Sequence, residues 1–175
     1  MAKRFKISDI PDFSGRTIFF DANIILYLFW SVYSKGNESQ RYSSIFRKLY
    51  LNKNPMAVNT FVLSEVINRV LRMDWENKTG KSISFKSFRN SSDGLSAQKD
   101  IFDMIEDKIL KYFQVIDKQL TTTDIKNMLI VDKLDFNDKI ILDNYGAPLM
   151  VICLIIEFVV SSYIQKIGCI FDFIS

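Results

Sequence analysis

Residues 17–33 read TIFFDANIILYLFWSVY, and this stretch decides the fold. Thr17 to Phe20 is a β-branched and aromatic run, which predicts a strand that ends at Asp21. From Asn23 to Tyr33 the residues are apolar nearly all round, which predicts a helix buried against a sheet.

The rest of the chain continues this alternation of strands and helices. The remaining predicted elements, in chain order, are a helix over Ser39–Tyr50, a strand over Met56–Val58, a helix from the N-cap Thr60 to about Met73, an exposed loop over Lys78–Ser96, a helix over Ala97–Phe113, a strand over Gln114–Ile116, a helix capped by Thr121–Thr123 and running through Leu134, a helix over Phe136–Asn144, and a buried strand over Ala147–Leu154. We therefore predict a helix-rich α/β fold with three layers, α/β/α, around a central, mostly parallel sheet.

Length and composition narrow the function classes. The 175 residues are enough for one domain with one core, and the net charge of +3 permits a nucleic-acid partner without demanding one. The chain has no histidine, which excludes Ser-His-Asp, Cys-His and histidine-based ribonuclease chemistry. Hydrolysis would need carboxylates, lysine, tyrosine, or a hard metal bound by oxygen. Residues 1–14 lack the apolar segment of a secretory signal, so we expect a cytoplasmic protein.

Three carboxylates from separate segments stand next to predicted buried elements. Asp21 follows the first strand, and active groups of parallel sheets collect at the carboxyl ends of strands. Glu65 lies one turn into an apolar helix, and Asp138 lies near the start of another. Each residue alone is more typical of a cap, a surface ion pair or a solvated position. Together they would repel one another unless a divalent cation were bound, and Mg²⁺ prefers oxygen ligands of this kind.

The predicted loop over residues 78–96 carries basic and aromatic side chains. Lys81, Lys86 and Arg89 alternate with Phe85 and Phe88. An exposed, mobile loop is one interpretation. The other is a nucleic-acid-binding flap, because basic side chains bind phosphates and aromatic rings stack on bases.

Three short motifs resemble those of the PIN-domain family, which includes the VapC-like toxin ribonucleases. FDANII at residues 20–25 is similar to the first motif, a strand that ends in an aspartate followed by a small residue and Asn or Ser. NTFVLSEV at residues 59–66 resembles the second, a Ser or Thr that starts a helix carrying a glutamate. LDFND at residues 134–138 resembles the third. The resemblance covers roughly residues 15–151 of what we predict to be a single PIN-like domain over residues 1–175.

The resemblance implies a metal-dependent endoribonuclease acting on single-stranded or structured RNA, the toxin of a toxin–antitoxin pair. Asp21, Glu65 and Asp138 would then be catalytic and would bind Mg²⁺ or Mn²⁺, with Asp135 as a helper of Asp138. Asn23 would support Asp21 and contact the substrate. RNA, an antitoxin protein and a second copy of the chain are the implied partners.

The chain departs from the family pattern after residue 151. PIN domains follow the last core strand with further acids, whereas this sequence continues Ile152-Cys153-Leu154. Glu157 and Asp172 are the candidates for a fourth acid, within an atypical apolar segment over residues 152–175. The missing acid leaves open a catalytically impaired PIN-like domain that binds RNA or a protein. A membrane anchor over residues 147–164 is the third, disfavoured alternative, because Glu157 interrupts it.

Overall fold

Helices and short strands alternate along most of the chain. The computed structural model describes residues 7–30, 37–131, 136–137, 139–140, 150–152 and 170–171. The strands are β1 (Ile18–Phe20), β2 (Met56–Val58), β3 (Phe113–Val115), β4 (Met150–Ile152) and β5 (Ile170–Phe171). The helices are α1 (Ala22–Phe29), α2 (Glu38–Leu51), α3 (Thr60–Thr79), α4 (Phe85–Arg89), α5 (Ser92–Met104), α6 (Leu110–Tyr112) and α7 (Thr122–Met128). A 3₁₀ helix over Ile7–Phe13 precedes β1, and a π-helical segment over Ile105–Ile109 joins α5 to α6.

The strands form one small parallel sheet. Its order is β3-β2-β1-β4-β5, and every neighbouring pair is parallel. In the central strand, Ile18 stands opposite both Met56 of β2 and Met150 of β4. A helix-rich α/β fold with a parallel sheet is therefore confirmed.

The core is built on β1 because all three of its residues are buried. Ile18, Phe19 and Phe20 are each no more than 1% exposed, and the ring of Phe20 meets that of Phe113 edge to face at 5.0 Å. An antiparallel partner could expose one face of such a strand, whereas a strand in the middle of a covered parallel sheet is apolar throughout. This explains why the uninterrupted apolar run predicted the strand correctly.

A buried asparagine connects the 3₁₀ helix to the start of β2. Asn54 is 5% exposed, and its Nδ2 donates to the carbonyl oxygens of Phe13 at 2.5 Å and Arg16 at 2.9 Å. The Phe13 oxygen also accepts a hydrogen bond from Arg16 N at 2.9 Å, so Asn54 adds a second donor there and supplies one to the Arg16 carbonyl.

The start and the end of α3 both differ from the sequence prediction. Asn59, rather than Thr60, is the N-cap, because its side chain accepts a hydrogen bond from Val62 N at 2.8 Å. Thr60 is the first helical residue, and its N and Oγ1 both donate to Asp117. The helix runs to Thr79, beyond the expected Met73, and ends at Gly80, whose φ of +54° suits a glycine.

The prediction of an irregular, mobile loop over residues 78–96 is wrong. This segment contains the end of α3, the whole of α4 and the start of α5. Ser84 and Ser91 cap the two later helices by accepting hydrogen bonds from Ser87 N and Gly94 N. Phe88 is 1% exposed and belongs to the core. The segment is mostly polar because its short helix α4 buries only one apolar side chain, that of Phe88. This composition therefore predicted a loop.

Several other element bounds moved by a few residues. Helix α1 ends at Phe29, β3 begins at Phe113, and α7 ends at Met128, although Thr121 caps it as expected. Residues 136, 137, 139 and 140 are helical, and β4 lies inside the predicted strand over residues 147–154. The 3₁₀ helix and β5 were not predicted.

Among the residues that the structure describes, no helix is long and apolar enough to cross a membrane. Apart from β4, the apolar stretch over residues 147–164 lies outside the described residues, as do Glu157, Asp172 and Asp135.

Candidate active site

The strand order places Asp21 at the edge of the sheet where ligands usually bind. From β1 the chain proceeds outward to β2 and β3, and it then returns to the other side of β1 with β4 and β5. In open parallel sheets, this reversal opens a crevice at the carboxyl ends of the two central strands. Asp21 is the first residue after β1, so it stands at the mouth of that crevice.

The carboxylate of Asp21 also caps helix α1. Its Oδ2 accepts hydrogen bonds from Asn23 Nδ2 at 3.0 Å and from Asn23 N at 3.4 Å. Burial nevertheless raises the pKa of Asp21, and the hydrogen bonds from Asn23 and Ala22 and the nearby charge of Arg69 only partly oppose this rise. The ionised form of Asp21 is therefore less stable than in water, and an added cation would stabilise it.

Asn23 and Arg69 join Asp21 to Glu65. Arg69 Nη1 donates to Asn23 Oδ1 at 2.6 Å and to Glu65 Oε1 at 3.3 Å. Because Asn23 also donates to Asp21, a continuous chain of hydrogen bonds runs from the end of β1 to helix α3. The first and second sequence motifs therefore meet in space, and Asn23 lies between their two acids.

An open cleft of about 410 Å³ runs along the face of α3 that carries Glu65. We call it the α3 cleft, and it is lined by Phe61, Ser64, Glu65, Asn68, Arg69, Arg72 and Asn137. Six of these residues follow the spacing of one helical face. The seventh, Asn137, belongs to the third sequence motif, which is thus brought to the second.

Asp138 itself lies outside the described residues. Its sequence neighbour Asn137 faces the same cleft as Glu65. Within the described part of the chain, no three acidic, cysteine or histidine side chains are grouped closely enough to hold a metal ion. Since the predicted trio includes Asp138, its convergence stays a prediction.

The three basic residues of the predicted flap do not line the α3 cleft. Lys81 is exposed, and its Nζ pairs with Glu76 Oε1 at 3.0 Å. Lys86 and Arg89 are exposed on α4, on either side of the buried Phe88. Their role in binding substrate stays a prediction, and Phe88 cannot stack on a base while it is buried.

Sequence reasoning missed the other polar residues of the cleft. It paired Arg69 only with Glu65, although the arginine also reaches Asn23, and it gave no role to Asn68 or Arg72. Their spacing in the sequence could have identified them. Asn68, Arg69 and Arg72 follow Glu65 by three, four and seven positions, and residues at that spacing lie on the same face of a helix.

Comparisons of the chain with protein-family models, curated proteins and solved structures found no match.

Proposed function

We propose that this protein is a metal-dependent endoribonuclease with the three-layer arrangement of a PIN domain. The observation that carries the proposal is the hydrogen-bonded chain from Asp21 through Asn23 and Arg69 to Glu65, located at the carboxyl end of β1. The presence of Asn137 in the same cleft supports Asp138 as the third acid. By the sequence resemblance, RNA is the substrate, and an antitoxin protein and a second copy of the chain are the partners.

The donor set suits Mg²⁺ or Mn²⁺. Asp21, Glu65 and Asp138 offer only carboxylate oxygens, which hard divalent cations prefer. Three carboxylates and the guanidinium of Arg69, which pairs with Glu65, would leave two uncompensated negative charges, and one divalent cation balances them. Burial raises the pKa of Asp21, and a cation beside this carboxylate would favour its ionised form.

The surrounding residues would orient the acids. Asn23 Nδ2 fixes Asp21 Oδ2, and Arg69 holds both Asn23 Oδ1 and Glu65 Oε1, so neither carboxylate has to be ordered when substrate binds. A bound Mg²⁺ or Mn²⁺ would supply positive charge that stabilises the phosphate during in-line attack and makes water a better nucleophile.

A second candidate function follows from the residues after β4. Strand β4 ends at Ile152, and the sequence continues Cys153-Leu154-Ile155-Ile156, without the acids that follow the last core strand of PIN domains. A PIN-like domain with three acids that binds RNA without cutting it is therefore the alternative.

RNA cleavage tests the two candidates against each other. Labelled single-stranded RNA is incubated with the protein in Mn²⁺ or in EDTA, and the same assay is run on Asp21→Asn. Asp100→Asn, which changes an exposed carboxylate on α5, is the matched control. We expect cleavage in Mn²⁺ by the wild type and the control only. RNA that stays intact but bound overturns the nuclease proposal in favour of the binding module, and cleavage that persists in Asp21→Asn overturns the assignment of the site.

A further inference from the structure

Arg72 presents a fixed positive charge to the α3 cleft. Its Cζ lies 4.3 Å from the centroid of the Phe85 ring, close enough for a cation–π contact. A guanidinium held against a ring face still has N–H groups that can bind a phosphate. Within the described part of the chain, no carboxylate forms an ion pair with Arg72.

Trp75 of α3 holds Phe85 in place at the start of α4. The ring of Trp75 meets that of Phe85 at 5.7 Å, and Trp75 Nε1 donates to the carbonyl oxygen of Ile83 at 2.8 Å. Arg72, Phe85 and Trp75 thus form a cluster that connects α3 to the start of α4. This cluster limits the positions that the Arg72 side chain can adopt, so less conformational entropy is lost when a ligand binds it.

Phe61 and Arg72 lie on opposite sides of Glu65 along the α3 cleft. Phe61 is the second residue of α3, and 42% of it is exposed. With a rise of about 1.5 Å per helical residue, Phe61 lies about 6 Å before Glu65 and Arg72 about 10 Å beyond it. An exposed aromatic ring on the same groove as a cationic side chain is the arrangement on which unpaired bases stack.

We propose that the α3 cleft binds single-stranded nucleic acid, with one phosphate on Arg72 and one base on Phe61, on either side of Glu65. The proposal rests on the proposed function, because that function places the cleaved bond beside Glu65. It adds two binding positions outside the acidic centre. A single strand fits because its bases are free to stack on a protein ring, whereas a duplex keeps them paired inside.

Binding measured without cleavage tests this proposal. The affinity for a fluorescently labelled single-stranded RNA is measured by anisotropy in EDTA at several salt concentrations. We expect Arg72→Ala to weaken binding roughly tenfold. It should also make the negative slope of log K against log salt shallower by about 0.7, since one phosphate contact is lost. Arg47→Ala, an equal change of charge at an exposed position on α2, should alter neither quantity.

The role of Phe61 in stacking is tested by the RNA affinity of Phe61 variants, which should change without a change in salt dependence. Phe61→Ala should weaken binding roughly five- to hundredfold with an unchanged salt slope, and Phe61→Tyr should restore the affinity, because the ring is what stacks. If Arg72→Ala does not fold, Arg72→Gln replaces it, since it removes the charge and keeps most of the side chain.

The outcomes separate this proposal from the proposed function. If Arg72→Ala and Arg47→Ala change binding equally, or if duplex RNA binds as tightly as single-stranded RNA, the two binding positions are refuted, even if the wild type cuts RNA in Mn²⁺. If the expected losses are found and no RNA is cut in Mn²⁺, the binding positions stand and the nuclease proposal is refuted.

Discussion

Replacement of Gly94 by alanine should destabilise the protein, although the same change stabilises most helices. A Cβ atom at Gly94 would lie 2.0 Å from the carbonyl oxygen of Phe88 and 2.9 Å from Cα of Arg89. Both are backbone atoms of α4, so no side-chain rotation relieves the clash. The Phe88 oxygen is also held in place, because Ser91 N and Ser91 Oγ donate to it at 2.9 and 2.7 Å.

Whether Gly94→Ala lowers or raises the free energy of unfolding shows whether Gly94 packs against α4 or lies in an unhindered helix. In an unhindered helix, alanine is about 0.5–1 kcal/mol more favourable than glycine. Forcing a methyl group into a packed contact costs about 1–3 kcal/mol, and a 2.0 Å approach to backbone belongs at the upper end of that range. We therefore expect Gly94→Ala to lower the free energy of unfolding by about 2 kcal/mol, which lowers Tm by roughly 4–8 °C.

Urea denaturation followed by far-UV circular dichroism measures this difference. Ser96→Ala is the control, because Ser96 is exposed on the same helix and its change should stay within about 0.5 kcal/mol. If Gly94→Ala raised the free energy of unfolding, α4 would not pack against α5 as described, and this packing could not position Phe85 beside Arg72.

Three further results are expected from single substitutions. Burial raises the pKa of Asp21 above its ordinary value of 3.8, so the metal-free protein should lose stability as the pH rises from 3.8 through the folded-state pKa. Asp21→Asn should remove that part of the loss and be the more stable protein at neutral pH in EDTA, as measured by urea denaturation. Asn54→Ala removes the side-chain donor of the Arg16 carbonyl and one of the two donors of the buried Phe13 carbonyl, so it should cost about 1–2 kcal/mol in the same assay; a loss below about 0.5 kcal/mol would contradict those bonds. Asn23→Ala should weaken Mn²⁺ binding roughly 10- to 100-fold in calorimetric titration, and an unchanged affinity would show that Asn23 does not orient Asp21.

The elements that the sequence predicted well are those whose pattern is local. Strand β1 is a short apolar run, and α2 repeats its buried residues Tyr42, Ile45 and Leu49 at helical spacing. Neither needs knowledge of a distant partner. The segment over residues 78–96 has no such pattern, because α4 is only five residues long and buries only Phe88. A helix of that length is stable only when it packs against the rest of the fold.

The candidate site likewise contains residues that a local sequence pattern predicts and contacts that depend on packing. Asp21 was predicted from its place after a strand, and Glu65 from its place in an apolar helix. The i,i+4 spacing of Glu65 and Arg69 was visible in the sequence, but the contact of Arg69 with Asn23 joins residues 46 positions apart. Such a contact depends on how α1 and α3 pack, and no local pattern records it. The stack of Arg72 on Phe85 likewise requires the position of α4, which the sequence did not predict.

The position of a bound metal shows whether Asp21, Glu65 and Asp138 form one metal site. A crystal of the protein soaked in Mn²⁺ and measured for anomalous scattering locates the ion without reference to activity. We expect a peak about 2 Å from carboxylate oxygens of Asp21, Glu65 and Asp138. A peak held by other residues, or carboxylates that bind no ion at Mn²⁺ concentrations that support cleavage by known nucleases, would contradict this expectation.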